Sequence, residues 1–379
     1  MKEMGINPVD PTVDFFPTKK KVWIPPDDPR FMFPPRPEDD PDWKPTKVYS
    51  CDNSVKLWEG LRQAQLLTNT LVQHQLPADI LARSAELAHP DQDHMMQRII
   101  MQANLWDTSR EKLPRRKKPE DISVWNYKAE YGIPQSRIVD VLLRSMIQKC
   151  NQLLALKEAD SVFSRYLIER HRLHTQYTFD NLPIHLTSRS NYLLTSTKPL
   201  ERFASVNEVK ETAGSHINNI FPVSSLVDLV KTNIYKSENC VGYLSDFKYK
   251  HHHTLFLEYD TDWTMDIRHA NAILMSYAHC LEMARMQHAE TTLINNPICV
   301  QTIHTDGISF GYTCFQLNTT ISNTQAEELG YSTRRNIAWV DDDLLFAKNI
   351  PRRSMLRDTT YTNYNPHVMQ KVLGMIGRQ

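Results

Sequence analysis

Glycine is scarce in this chain, 10 of 379 residues. No Gly-rich loop exists to bring backbone amides against a nucleotide phosphate, and no serine nucleophile elbow is present, so nucleotide-binding and serine-hydrolase chemistry lack their usual supports. Net charge is missing too. Lys and Arg number 44 and so do Asp and Glu, which is not the excess of a protein that chiefly neutralises phosphates. No apolar run approaches the ~20 residues of a membrane span. The six cysteines, Cys51, Cys150, Cys240, Cys280, Cys299 and Cys314, have no Cys-x-x-Cys spacing, which argues against a zinc ribbon or redox pair and suits reduced, buried thiols. Arginine is absent from the first 29 residues, which carry Asp10, Asp14, Asp27 and Asp28; a transit peptide has the opposite composition.

Proline and aromatic residues are concentrated at the N-terminus. Eleven of the 22 prolines fall in residues 1–45, a density that excludes helix and sheet and favours polyproline geometry. Phe15, Phe16, Trp23, Phe31, Phe33 and Trp43 are interleaved with them. Such side chains are rare in a free linker and would be an aggregation liability if exposed. Residues 1–50 are therefore expected to form an extended arm that docks on a partner or on its own globular body, with Lys19, Lys20 and Lys21 available to phosphate. A flexible tail is the alternative.

Residues 51–160 read as mainly helical. Leu57, Leu61, Ala64, Thr68 and Leu71 repeat at helical spacing, a second helix is expected over 91–106, and apolar positions from Ile138 to Leu154 mark a third over 137–155. Between them lies a proline-bounded loop over 110–119. Its Arg115, Arg116, Lys117 and Lys118 are either RNA contacts or a solvated charge run. Over residues 98–172 there are 15 basic and 9 acidic residues, and from 334 to the end 8 and 4. Arg352, Arg353 and Arg357 belong to the second basic stretch. Segments 166–179 and 184–194 alternate like strands, and 207–221 reads as a helix.

The block 254–346 has the strongest local signals. Asp306-Gly307 between runs rich in Ile, Val, Thr, Tyr and Phe predicts a hairpin with a type I′ turn. Both faces of its strands are apolar, so they are expected to be central. A helix over 267–288, with Asp266 as its N-cap, covers them through Ile267, Ala270, Ile273, Leu274, Tyr277, Ala278 and Leu281. The fold class expected is α+β: a mixed α/β body over 161–346, a helical region before it, the Pro-rich arm, and a basic extension with a short helix over 347–379.

The ordered set His-Thr-Leu-Phe-Leu at 253–257, Thr-Asp-Gly at 305–307, Phe-Gln-Leu-Asn-Thr-Thr at 315–320 and Asn-Ile-Ala-Trp-Val-Asp at 336–341 resembles the family of mitochondrial large-subunit ribosomal protein thirty-seven, which is related to that of programmed cell death protein nine. The resemblance is collinear over about 50–346; Lys112 to Glu130 and 324–335 depart from it. It implies a structural subunit of the mitochondrial ribosome in the matrix, in contact with large-subunit rRNA and neighbouring ribosomal proteins, with the related family member as a heterodimer partner. It implies no enzymatic role, no cofactor and no small-molecule substrate. A presequence is then expected to precede this chain or to have been removed.

Two readings from other classes stay open. The 254–346 block also looks like the core of restriction-endonuclease-like nucleases, in which Asp228, Glu258 and Asp260 would have to converge on a divalent metal. Asp260 stands where such enzymes place Lys, so a degenerate core fits better than an active one. The other reading is a protein-binding adaptor outside the ribosome. His251-His252-His253 alternates across a strand and is expected in an exposed turn, and Asp341-Asp342-Asp343 at a hydrated strand end. His279 and His288 read as packed or solvated helix residues.

Overall fold

Residues 254–257, 298–303 and 310–317 carry apolar side chains at odd and even positions alike, so a sheet built from them needs cover on both faces. The computed structural model describes residues 46–109, 111–115, 131–234, 239–244, 246–288, 293–321, 334–349 and 360–378. They build a nine-stranded mixed sheet within the compact unit Lys47–Gln379. Its strands are β1 (Thr46–Asp52), β2 (Thr70–His74), β3 (Arg165–Phe179), β4 (Leu182–Ser196), β5 (Val230–Ile234), β6 (His251–Glu258), β7 (Leu293–Thr305), β8 (Ser309–Thr319) and β9 (Asn336–Leu344). The order is β2-β9-β8-β7-β6-β4-β1-β5, with β3 paired to β4. β1 runs parallel to β4, β2 to β9 and β6 to β7. Two short strands, β10 (Ala347–Asn349) and β11 (Thr360–Thr362), pair separately.

Eight helices are described: α1 (Gly60–Thr68), α2 (Ala78–Leu87), α3 (Gln92–Ala103), α4 (Gln135–Lys157), α5 (Ala159–Phe163), α6 (Val206–Glu211), α7 (Met265–His288) and α8 (Pro366–Gly377). None of the described helices is long and apolar enough to cross a membrane. Strand alternation divides the core in two. Phe256, Ile303, Tyr312, Cys314, Ile337 and Trp339 pack with α2, α3, α4 and α8. Leu255, Leu257, Val300, Phe315, Leu317 and Val340 pack with α1 and α7. The parallel pair β6 and β7 requires a crossover, and α7 supplies it.

Several sequence expectations are corrected. The helix face drawn from Leu57 to Leu71 is broken, because α1 ends at Thr68 and Asn69 adopts a left-handed φ of 50°; Leu71 then pairs with Ile337 in the sheet. Helix α2 was not foreseen, and α3 stops at Ala103, short of 106. The helix expected over 207–221 spans only Val206–Glu211, started by a capping box between Ser205 and Glu208. A single 3-10 turn follows and ends at Gly214. The β7–β8 hairpin exists, with Thr305 opposite Phe310, but its connection is longer than a two-residue type I′ turn. Of Asp306 and Gly307 only Gly307 has positive φ, at 90°. The Asp306 carboxylate closes the turn instead, accepting from the backbone N–H of Ile308 (2.9 Å) and Ser309 (2.7 Å). Helix α7 begins at Met265, with Asp266 inside its first turn rather than at the cap.

The helix expected as a short C-terminal piece is part of the core. Asn365 caps α8 by accepting from His367 N (3.0 Å), with Pro366 in the first turn. Val368, Met369, Val372, Leu373, Met375 and Ile376 are buried. Its close approach to α2 depends on Gly374, where a Cβ would lie 2.2 Å from the Ile80 carbonyl oxygen. A backbone atom cannot move aside cheaply, so Gly374→Ala is expected to cost ~1–3 kcal/mol in urea denaturation, the range of an overpacked core. Gly214→Ala, which meets nothing within 4 Å, should stay close to the parent.

Candidate functional site

Of the residues proposed from sequence for RNA contact, only Arg115 is described. Lys19, Lys20, Lys21, Arg116, Lys117, Lys118, Arg352, Arg353 and Arg357 lie outside the described residues, as do Phe15, Phe16, Trp23, Phe31, Phe33 and Trp43. Arg115 is exposed and forms an antiparallel bridge with Tyr131. Gly132 N donates to Pro114 O (3.1 Å) beside it. Residues 114–115 and 131–132 are thus held together.

The basic stretch 98–172 divides by use. Arg165 is half-buried, and its guanidinium donates to the carbonyls of Ile376 and Arg378 (2.6 Å to the latter). Burial, with Arg83 nearby, pushes its pKa down to about 10. Lys157 donates to the Glu86 carbonyl, Arg144 pairs with Glu169 (2.8 Å), and Arg137 lies 4.5 Å over the Trp106 ring. Arg98 and Lys149 remain together in a surface cleft of about 450 Å3 on α3 and α4, with His94 and Asp91. The helices that cover one face of the sheet therefore present to solvent the cations their own packing does not use.

An internal polar assembly is centred on α7. Every residue from 267 to 284 is buried, including Arg268, His269, Asn271, Ser276, His279 and Glu282. Arg268 donates to Ser309 Oγ (2.8 Å), Asp260 O (3.0 Å) and Asp306 Oδ2 (2.9 Å). Although burial opposes its charge, the Asp306 carboxyl is held below its usual range by the backbone N–H groups of Ser309 and Ile308 and by Arg268. Asn271 donates to the carbonyls of Asp52 (3.1 Å) and Val55 (3.0 Å) and accepts from Tyr259 Oη (2.8 Å). Glu282 accepts from Thr175 Oγ1 and from Arg285.

The three consecutive histidines, expected in an exposed turn, form the buried start of β6. Their partners fix their protonation. Tyr243 Oη donates to Lys250 O (2.6 Å), so it accepts from His252 Nε2 (3.0 Å). His252 Nδ1 then accepts from His279 Nδ1 (2.9 Å), and His279 Nε2 from Ser188 Oγ (3.0 Å). His253 Nε2 donates to Arg378 O (2.9 Å), and His171 Nε2 to Val241 O (2.6 Å). All are neutral rings. Burial drives His252 and His279 well below the ordinary imidazole pKa, pushes His253 down to about 3 and lowers His171.

The nuclease set does not assemble. Asp228 Oδ2 accepts from Trp58 N (2.9 Å), and Glu258 Oε2 from Asn191 Nδ2 (3.1 Å). Burial and then Asp260 raise the Glu258 carboxyl. Among the described residues no group of three His, Cys, Asp or Glu is arranged to hold a metal ion. Asp341 and Asp343, read as a hydrated strand end, share one face of β9, where Lys371 of α8 meets both (2.8 and 2.7 Å). Their spacing of two on a strand was the available signal. Cys240 is exposed, unlike the other five cysteines.

The comparisons with known proteins cover different shares of the chain. A family model described as mitochondrial 28S ribosomal protein S30 (PDCD9) matches residues 234–378. Proteins named large ribosomal subunit protein mL37 match almost end to end. That of Gallus gallus is 26% identical over 357 residues, covering 90% of this chain and 76% of its own. That of Rattus norvegicus is 24% identical over 374 residues, covering 95% and 81%, and that of Bos taurus 25% over 380 residues, covering 95% and 83%.

The neutral histidines generate a pH prediction. An unfolded chain takes up protons on these rings below about pH 6.5, whereas the folded protein does not until the depressed pKa values are reached. Stability should therefore fall as pH drops from 6.5 toward 5, by up to ~1.4 kcal/mol per pH unit for each such histidine. Urea titrations at pH 8, 7, 6 and 5 check this. A stability that holds level to pH 5 would contradict the neutral assignment.

Proposed function

We infer from this chain's similarity to proteins named large ribosomal subunit protein mL37 that it is a structural constituent of the large subunit of the mitochondrial ribosome, acting in the matrix without catalysing a reaction. The length of the match carries this reading. The relatives cover 90% and 95% of the chain, more than any single motif could. The PDCD9 family description names a 28S protein, but it covers only residues 234–378, a shorter stretch than the relatives match. The longer agreement favours the large subunit.

The finer assignments are proposals. Arg98 and Lys149, which line one cleft, and exposed Arg115 are the cations offered to rRNA phosphates; Lys19 to Lys21, Arg352, Arg353 and Arg357 would add to them. The aromatic-proline arm docks on a neighbouring protein or on its own body. The match to the PDCD9 family over 234–378 supports common ancestry with that family, and on this reading the related protein is a heterodimer partner. In the same reading β6, α7, β7, β8 and β9 are a nuclease-like core that lost its catalytic set, with Arg268 and the histidines serving packing alone.

Sedimentation of mitochondrial lysate through sucrose tests the assignment. The protein is expected to travel with the large subunit and to stay there in moderate salt, since protein contacts hold it along with phosphate contacts. Arg98→Glu with Lys149→Glu should lower the salt concentration at which it is released. A protein that stays at the top of the gradient at low salt is an adaptor or something else, and the ribosomal reading falls.

A further inference from the structure

Strand β2 ends the sheet. One edge pairs with β9, and the other has no strand partner among the described residues. Its sequence, Thr-Leu-Val-Gln-His, contains neither the Lys nor the Pro that commonly blunts an edge. Gln73 and His74 are exposed. A cleft of about 740 Å3 lies over the sheet face that β2 shares with β9, with Leu71, Ile337, Trp339 and Phe203 as its apolar part. The lining also includes Asp79, Glu208 and Glu211, and no Lys, Arg or His.

Each feature narrows the occupant. An unblunted edge offers backbone donors and acceptors to an extended chain, and pockets beside it accept alternate side chains. Trp339, with its ring centroid 5.6 Å from that of Phe203, gives an aromatic seat for one of them, beside a Phe203 ring that already carries the Arg378 guanidinium at 4.0 Å. The carboxylates repel nucleic acid and attract a cation. Two of them are already engaged: Asp79 pairs with Arg378 (2.8 Å), and Glu208 closes the capping box of α6. Glu211 is exposed and has no ion-pair partner among the described residues.

We propose that this cleft receives an extended segment of a neighbouring protein that adds a strand to β2, seats an apolar side chain on Trp339 beside Phe203, and sets a Lys or Arg against Glu211. The proposal rests on the ribosomal reading only for where that neighbour is found. The face is thus a protein contact, separate from the cationic cleft of α3 and α4.

A photo-crosslinking residue in place of Gln73, in the full chain imported into mitochondria, tests it. Gradient fractions are irradiated and the joined peptides identified. The expected product is a crosslink to one protein, at a segment containing both apolar and Lys or Arg residues, in the large-subunit fractions. Glu211→Lys should cut its yield at least fivefold and Glu211→Gln less, with sedimentation unchanged. Crosslinks to RNA, no crosslink above that of the same probe at exposed Leu156, or a yield indifferent to Glu211→Lys would each overturn the proposal. Failure of the chain to sediment overturns the ribosomal reading instead, and the crosslink in the upper fractions is then judged by the same criteria.

Discussion

Helix α7 is buried on all sides, and the body of the protein is arranged around that constraint. Eighteen consecutive residues, 267–284, are out of contact with water, and six of them have polar or charged side chains. Each such group would cost several kcal/mol if left without a partner, so the elements around α7 are placed by their ability to supply one. The β7–β8 turn provides Asp306, β3 provides Thr175, β4 provides Ser188, and the β1 end provides two carbonyls. Those contacts tie residues separated by up to 219 positions to a single helix. Removing one partner would leave a buried group stranded, so the network specifies the arrangement as much as it stabilises it.

Much of the central body was legible because its elements are long and periodic. The strands at 165–179 and 182–196, the helix at 135–157 and the β7–β8 pairing all stand close to where alternation and helical spacing put them. The errors have physical causes. A single left-handed Asn69 converts what reads as a continuing helix into a sheet strand, and periodicity alone does not register it. The histidine triplet looks exposed because alternation sends neighbouring rings to opposite faces; here both faces of β6 are covered. Helix α7 was read as amphipathic from its apolar positions, while its polar positions are buried too, satisfied by partners distant in sequence.

Site residues were less legible than fold. A charge count over 98–172 cannot separate Arg165, whose guanidinium serves the carbonyls at the end of α8, from Arg98 and Lys149, which remain on the surface. Three-dimensional placement makes that distinction. Several of the cations in this stretch are consumed by packing, which fits a neutral protein held in an assembly by a limited set of phosphate contacts together with protein contacts. On the proposed reading, the β2 cleft and the cationic α3–α4 cleft would give protein and RNA neighbours separate places on one body.

Native-state hydrogen exchange tests the central claim about α7 most directly. If the helix is the element on which the rest depends, its amides from 267 to 284 should exchange only through global unfolding, together with those of β6, β7 and β8, and with the same free energy. Exchange from α7 at a markedly lower free energy than from the β3–β4 hairpin would contradict the account, because the hairpin would then hold its structure without the helix it encloses.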